Sequence, residues 1–237
     1  AMSLLERVIH SIRAAADACG VAVITGDTKV VERGKGDGIF INTSAIGVVE
    51  HALMIHPSAV QPGDAVLVSG DLGRHGVAIL AAREELGFRS TLKSDLAPLH
   101  TAVQELISSG VEVHCLRDLT RGGLASASDE IARAAGCQIE LEEDAIPLHA
   151  SVNGACELLG LDPLSMANEG RMLVILPEVH AAKALEQLHH HNAAACRVGT
   201  VHSTTTTERQ HPVMLRNTLG VLRPLDVSRG ELLPRIC

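Results

Sequence analysis

Four short stretches carry residue types and spacings that could do chemistry. Gly26-Asp-Thr-Lys29 follows an apolar run, Val21-Ala-Val-Ile-Thr25. A carboxylate (Asp27) and a hydroxyl (Thr28) at a strand end suit Mg²⁺ and phosphate, with Lys29 beside them as a charge partner. The same residues also fit an ordinary turn in which Asp27 caps backbone N–H groups. Arg117-Asp-Leu-Thr-Arg-Gly-Gly123 opens a helix. Either Thr120 is its N-cap and the glycines allow close packing, or the free N–H groups form an anion site flanked by Arg117 and Arg121. Asn168-Glu-Gly170 precedes a buried apolar strand, where Glu169 is a turn residue or a base aimed into a cleft. Cys237, the last residue, is a chance terminal thiol or a group carrier on an arm. Arg235 favours its thiolate and the chain carboxylate opposes it.

Other signals are weaker. Gly70-Asp-Leu-Gly-Arg-His-Gly76 lacks the spacing of a phosphate loop. His189-His190-His191 is tempting as a metal cluster, but consecutive helical residues diverge, so a solvated helix end is expected. The six cysteines form no CxxC pair. That argues against structural zinc and for free thiols in a reducing cytoplasm.

Positioning these groups requires alternating helices and strands. Residues 4–19 read as an amphipathic helix stopped by Gly20. Strands are expected at 21–25, 39–43 and 45–49, around a glycine-rich turn at 34–38. A connector, Pro57–Pro62, precedes a new unit. There the pattern predicts strands at 65–69, 111–116, 137–141, 172–176, 196–202 and 212–222. Helices are expected at 75–86, 97–108, 122–135, 150–159 and 178–191. The alternation indicates an α/β (α+β) fold with a mixed sheet and helices covering one face. The expected division is 1–56, 57–223 and a tail at 224–237, where Pro224, Gly230 and Pro234 interrupt any period. Such a tail, fully extended, spans at most about 45–50 Å.

Composition narrows the function. The 237 residues are 46% hydrophobic and carry net charge −8, typical of a packed protein and unsuited to general binding of a phosphate backbone. There is no Trp or Tyr, and Phe40 and Phe88 are the only aromatic rings of their kind, which removes the stacking platforms single-stranded nucleic acids need. Glu6 and Arg7 break the first apolar stretch, so no signal peptide is expected, and no apolar run reaches membrane-spanning length. A cytoplasmic protein is expected, without nucleic-acid or membrane partners.

Taken together, Gly26-Asp-Thr-Lys-Val-Val31, Phe40-Ile-Asn-Thr43, Pro62-Gly-Asp64, Arg117-Asp-Leu-Thr-Arg-Gly-Gly123, Cys156-Glu-Leu-Leu-Gly-Leu161, Ala167-Asn-Glu-Gly170 and Pro234-Arg-Ile-Cys237 resemble the HypE family of hydrogenase maturation factors. That family is related to aminoimidazole ribonucleotide (AIR) synthetase, selenophosphate synthetase and thiamine-monophosphate kinase. The resemblance implies a two-domain AIR-synthetase-like architecture that dimerises through its N-terminal domains. It also implies a reaction: the carbamoyltransferase HypF loads the terminal cysteine, ATP activates the carboxamide oxygen, and loss of phosphate leaves an S-cyanate. The cyano group then passes to iron on the HypC–HypD complex.

Carried over to this chain, the resemblance makes Cys237 the carrier and Glu169 the base. Asp27 holds Mg²⁺ or orients ATP phosphates beside Thr28, and Lys29 stabilises charge or moves a proton. Arg117, Arg121 and Asn168 become candidates for contact with nucleotide or tail. The chain begins at the last helix and two strands of the family's first domain, so ATP turnover by this chain alone is expected to be weak or absent. Arg171 stands where lysine is expected, keeping charge but not proton transfer. The rival readings are a sister kinase or synthetase, a partner-docking module without catalysis, and a histidine-rich metal store.

Overall fold

The computed structural model describes residues 2–36, 38–83, 91–204 and 211–227. The chain divides into two compact units, 1–51 and 52–237.

The first unit has one described helix, α1 (Met2–Cys19), followed by residues 21–36 and 38–51 without a strand or helix. Strands expected at 21–25, 39–43 and 45–49 do not form. An extended segment becomes a strand only when neighbours satisfy its N–H and C=O groups, and no described strand pairs with these runs. Their apolar side chains, Ile24 and Phe40 among them, are exposed.

The second unit contains β1 (Asp64–Val68), α2 (Arg74–Ala82), α3 (His100–Ser108), β2 (Cys115–Asp118), α4 (Gly123–Ala135), β3 (Cys137–Glu142), α5 (Ala150–Leu159), β4 (Met172–Pro177), α6 (Glu178–His191), β5 (Cys196–Ser203), β6 (Val213–Arg216) and β7 (Leu222–Pro224). Together the strands make one seven-stranded mixed sheet in the order β2-β4-β1-β5-β3-β6-β7. The β3–β6 pair is parallel and the others are antiparallel.

The central strands are covered on both faces, not one. Val66 and Val68 of β1, with Leu173 and Ile175 of β4, pack with Leu124 and Ile131 of α4. Their alternating neighbours Ala65, Leu67, Val174 and Leu176 pack with Leu106 of α3 and Leu188 of α6. This is why both strands read as continuous apolar runs: a strand buried on both faces has no polar alternation to display. Aliphatic side chains fill both layers.

The single strand expected over 212–222 is a hairpin. Asn217 Oδ1 accepts the Leu219 and Val221 N–H groups at 3.0 and 2.9 Å and turns the chain between β6 and β7. Residues 224–227, expected in the tail, are docked: Leu225 N–H donates to Val213 O at 3.0 Å and its side chain is buried.

Candidate functional site

Antiparallel pairing brings three strand ends together. Val68, at the end of β1, opposes Leu173 at the start of β4, and Asp118, at the end of β2, opposes Met172. The loops leaving this end of the sheet, 69–73, 118–122 and 168–171, therefore lie together. Ser69 locks two of them, its N–H donating to Met172 O and its Oγ accepting the Met172 N–H, both at 3.0 Å.

Asn168 sits between all three loops. Its Oδ1 accepts the Gly73 N–H at 2.7 Å, and its Nδ2 donates to Leu119 O at 3.2 Å and Met166 O at 3.0 Å. Gly73 has φ +83°, a conformation that favours glycine, and is the N-cap of α2. The Asn168 side chain is buried and its amide committed to backbone. It holds the loops in register.

Glu169 follows directly. Its N–H donates to Asp95 Oδ1 at 2.8 Å, tying the base candidate to the 91–99 loop. Gly170 packs so tightly on that loop that a Cβ would overlap the Asp95 carbonyl oxygen and the Ala97 nitrogen. Burial first, then the charges of Asp95 and Asp118, pushes the Glu169 carboxyl above its ordinary value, while His75 opposes the shift. His75, in the first turn of α2, is fixed through Nδ1 to Ser94 Oγ at 2.9 Å. The buried Nε2 of His75 and Oδ2 of Asp95 have no hydrogen-bond partner among the described residues. Four titratable side chains thus gather at this end of the sheet.

Next to it, Arg171 grips Asp71. Arg171 Nη2 reaches Asp71 Oδ1 at 2.8 Å, Nε donates to Asp71 O at 2.9 Å and Nη1 to Gly170 O at 2.9 Å. Arg74 pairs with the other Asp71 oxygen. Burial alone would raise the Asp71 carboxyl, but its bonds to Arg74 and Arg171 outweigh that and hold it below its ordinary value. Arginine at 171 is accounted for by this three-way fork, which lysine cannot make. Asp71, Arg74, Lys93, Asp95, Arg171 and Asn192 line a cavity of about 560 Å³.

The remaining candidates lie elsewhere. Arg117 Nη1 and Nη2 bond Asp118 at 2.7 Å and Glu130 at 3.0 Å, so its charge is already paired. Arg121 is exposed. Thr120 is not a helix cap: its hydroxyl donates to Asp118 Oδ2 at 2.9 Å, and the N-cap of α4 is Gly122. Asp27, Thr28 and Lys29 are exposed in the first unit, where the Thr28 N–H donates to Asp27 Oδ1 at 2.7 Å. Cys237 lies outside the described residues. His189 and His191 diverge at the end of α6, to Ala195 O and to Glu105. No described group of three or more side chains could hold a metal ion.

Sequence reasoning missed Asp95 and Asp118 as site residues and left His75 inside an ambiguous motif. Asp95 gave no signal: it lies in an irregular loop, 74 residues from the glutamate it supports.

Comparison with known proteins finds relatives along the whole chain. Residues 61–211 match the family described as AIR synthase related protein, C-terminal domain, and residues 1–49 match its N-terminal domain. The chain is 45% identical over 238 residues to the carbamoyl dehydratase HypE of Rhodobacter capsulatus, covering 100% of this chain and 69% of that protein. Among solved structures, Escherichia coli HypE, a hydrogenase maturation protein, matches with TM-score 0.92 and 41% identity over 100% of this chain and 72% of that one. HypE in a HypE–HypF complex matches at 0.89 and 38% (96% and 73% covered), and HypE in complex with ATP at 0.86 and 38% (100% and 71%).

Proposed function

The chain belongs to the HypE carbamoyl dehydratases, within the AIR synthase related family, and from that premise we propose that it turns an S-carbamoyl group on Cys237 into an S-cyanate with Glu169 as the base. Its role is in hydrogenase maturation, as the source of cyanide ligands for the NiFe centre. An amide oxygen is a poor leaving group, and phosphorylation by ATP makes it a good one. Both N–H protons must also leave. A carboxylate whose proton affinity is raised by burial is suited to take them. The observation carrying this reading is the setting of Glu169: backbone anchored to Asp95, side chain flanked by His75 and Asp118, pKa pushed up.

ATP binding follows from the relative solved with ATP. We assign its phosphates to Asp27, Thr28 and Lys29 of the first unit, and contact with the incoming tail to the exposed Arg121 of the second. Mg²⁺ fits this arrangement, because it is commonly bound through one or two carboxylates together with phosphate oxygens and water, and Asp27 offers one exposed carboxylate. Lys29 would stabilise the charge that develops on the transferred phosphoryl group or move a proton. Asn168 supports Glu169 by holding the loops.

HypF is the proposed carbamoyl donor, by analogy with the HypE–HypF complex. The HypC–HypD complex is the proposed cyanide acceptor, and a second copy of the protein completes a homodimer. No described helix is long and apolar enough to cross a membrane, and a reducing cytoplasm suits a carrier thiol. Replacing the carrier tests the reading. A Cys237→Ala protein should accept no carbamoyl group and form no cyanate, and full activity in that variant would sink the proposal.

A further inference from the structure

We propose that the cavity of about 560 Å³ next to Glu169 is an oxyanion site that holds the α-carboxylate of Cys237. The carrier residue is then gripped by its own chain end while its carbamoyl group meets the base. The inference rests on reading Cys237 as the carrier and Glu169 as the base.

Two residues of the cavity wall are bonded to the backbone at Glu169. Asp95 accepts the Glu169 N–H at 2.8 Å, and Arg171 Nη1 donates to Gly170 O at 2.9 Å. A group seated against this wall is close to the base.

Three cationic side chains (Arg74, Lys93, Arg171) and two carboxylates (Asp71, Asp95) line the cavity. The carboxylates are committed. Arg74 and Arg171 take one Asp71 oxygen each, Glu169 takes Asp95 Oδ1, and Asp95 Oδ2 is buried away from solvent. The donors are not. Arg74 binds Asp71 through Nε, leaving both Nη nitrogens without a described hydrogen bond. Lys93 is exposed, with no hydrogen bond or ion pair among the described residues. Asn192 Oδ1 accepts the Ala194 N–H at 2.9 Å, and Nδ2 stands as a donor against Gly70, where a Cβ would overlap it. Cationic and amide donors gathered in this way suit a carboxylate or a phosphate.

The chain itself supplies the carboxylate. On a carrier cysteine at the last position, the thiol and the chain carboxylate hang from one Cα. The carboxylate carbon and the carbamoyl carbon are four bonds apart, roughly 5 Å when extended. A carrier cysteine inside a chain has no such handle. The ten residues after Val227, the last one described, span at most about 36 Å. Holding the carboxylate fixes the residue and leaves its side chain to turn the carbamoyl group towards Glu169. Phosphate released in the reaction has the same chemistry, so the test must separate the two.

Single-turnover dehydration of the full chain, carbamoylated on Cys237 and given excess ATP, tests the site. A semisynthetic protein ending in the Cys237 amide keeps the thiol and loses the charge. It should form cyanate about 10- to 100-fold more slowly with the ATP KM unchanged. Lys93→Gln should slow the parent in the same direction with an unchanged thermal melt, and should slow the amide form no further. An amide form within about twofold of the parent would overturn the proposal. So would a Lys93→Gln effect of equal size in both forms, which would assign Lys93 to another oxyanion such as phosphate. The premise is read separately: if the parent forms no cyanate, or Glu169→Gln forms it at the parent rate, the carrier or base reading fails first and the site with it. If only the amide result fails, those readings stand.

Discussion

Asp95 holds Glu169 by the backbone and loads its side chain electrostatically at the same time. Its Oδ1 accepts the Glu169 N–H at 2.8 Å, while its charge helps push the Glu169 carboxyl up, second among the raising causes after burial. Asp95 is itself buried, with Oδ2 unpartnered among the described residues. The two effects can be separated by substitution.

Asp95→Asn keeps an oxygen for the Glu169 N–H and removes the charge. The Glu169 pKa should fall, since a raising contribution is gone. A base works only when deprotonated, so the acidic limb of the dehydration pH profile should move to lower pH. Asp95→Ala removes the anchor as well and should cost about tenfold in single-turnover rate, because the carboxylate loses its fixed position.

Glu169→Gln should stabilise the fold while abolishing dehydration. A carboxyl with a raised folded-state pKa favours folding while it is protonated, and that contribution is lost as pH rises through the folded value. At neutral and alkaline pH the native protein therefore bears a partly desolvated charge that glutamine removes. Thermal melts should show a gain of about 1–3 °C there. The gain should vanish in acid, where Glu169 is protonated.

The Asp71–Arg171 grip is structural, and its pH dependence has the opposite sign. Asp71 is held below its ordinary value of 3.8, so its contribution to stability is complete above that value and lost as pH falls through the lower folded one. Arg171→Lys leaves at most one of three bonds in place. It should cost about 1–3 kcal/mol in urea denaturation at neutral pH, and less in strong acid.

The core thiols should be inert. Burial pushes Cys115, Cys137, Cys156 and Cys196 up to about 11. In the native state at about pH 8, alkylation of these four should run about 10²-fold slower than that of an unperturbed cysteine. Peptide mapping after a short iodoacetamide pulse checks this, with urea-unfolded protein as the fully reactive reference.

Sheet and helices of the second unit were legible because burial writes itself into the residue pattern. Ala65–Val68 and Met172–Leu176 are continuous apolar runs flanked by turn residues, and amphipathic spacing marks α3, α4 and α6. Two features escaped for physical reasons. The β6–β7 hairpin hides because Leu215, Leu219 and Val221 keep an alternating pattern through the turn, and the Asn217 side chain that makes it is a single polar residue. The strands expected in residues 21–49 fail because apolarity proposes a strand but only a partner completes it. Within the site, Glu169 and Asn168 stood out beside a buried strand. Asp95 did not, since nothing local marks a loop aspartate whose partner is distant in sequence.

The most direct measurement is the mass of the C-terminal peptide from protein carbamoylated on Cys237 and then held with excess ATP long enough for one slow turnover. The account predicts loss of the mass of one water from that peptide, with one phosphate released per cyanate, and no loss in Glu169→Gln. A carbamoylated peptide left unchanged by ATP in the parent protein, or an equal loss in Glu169→Gln, would contradict it.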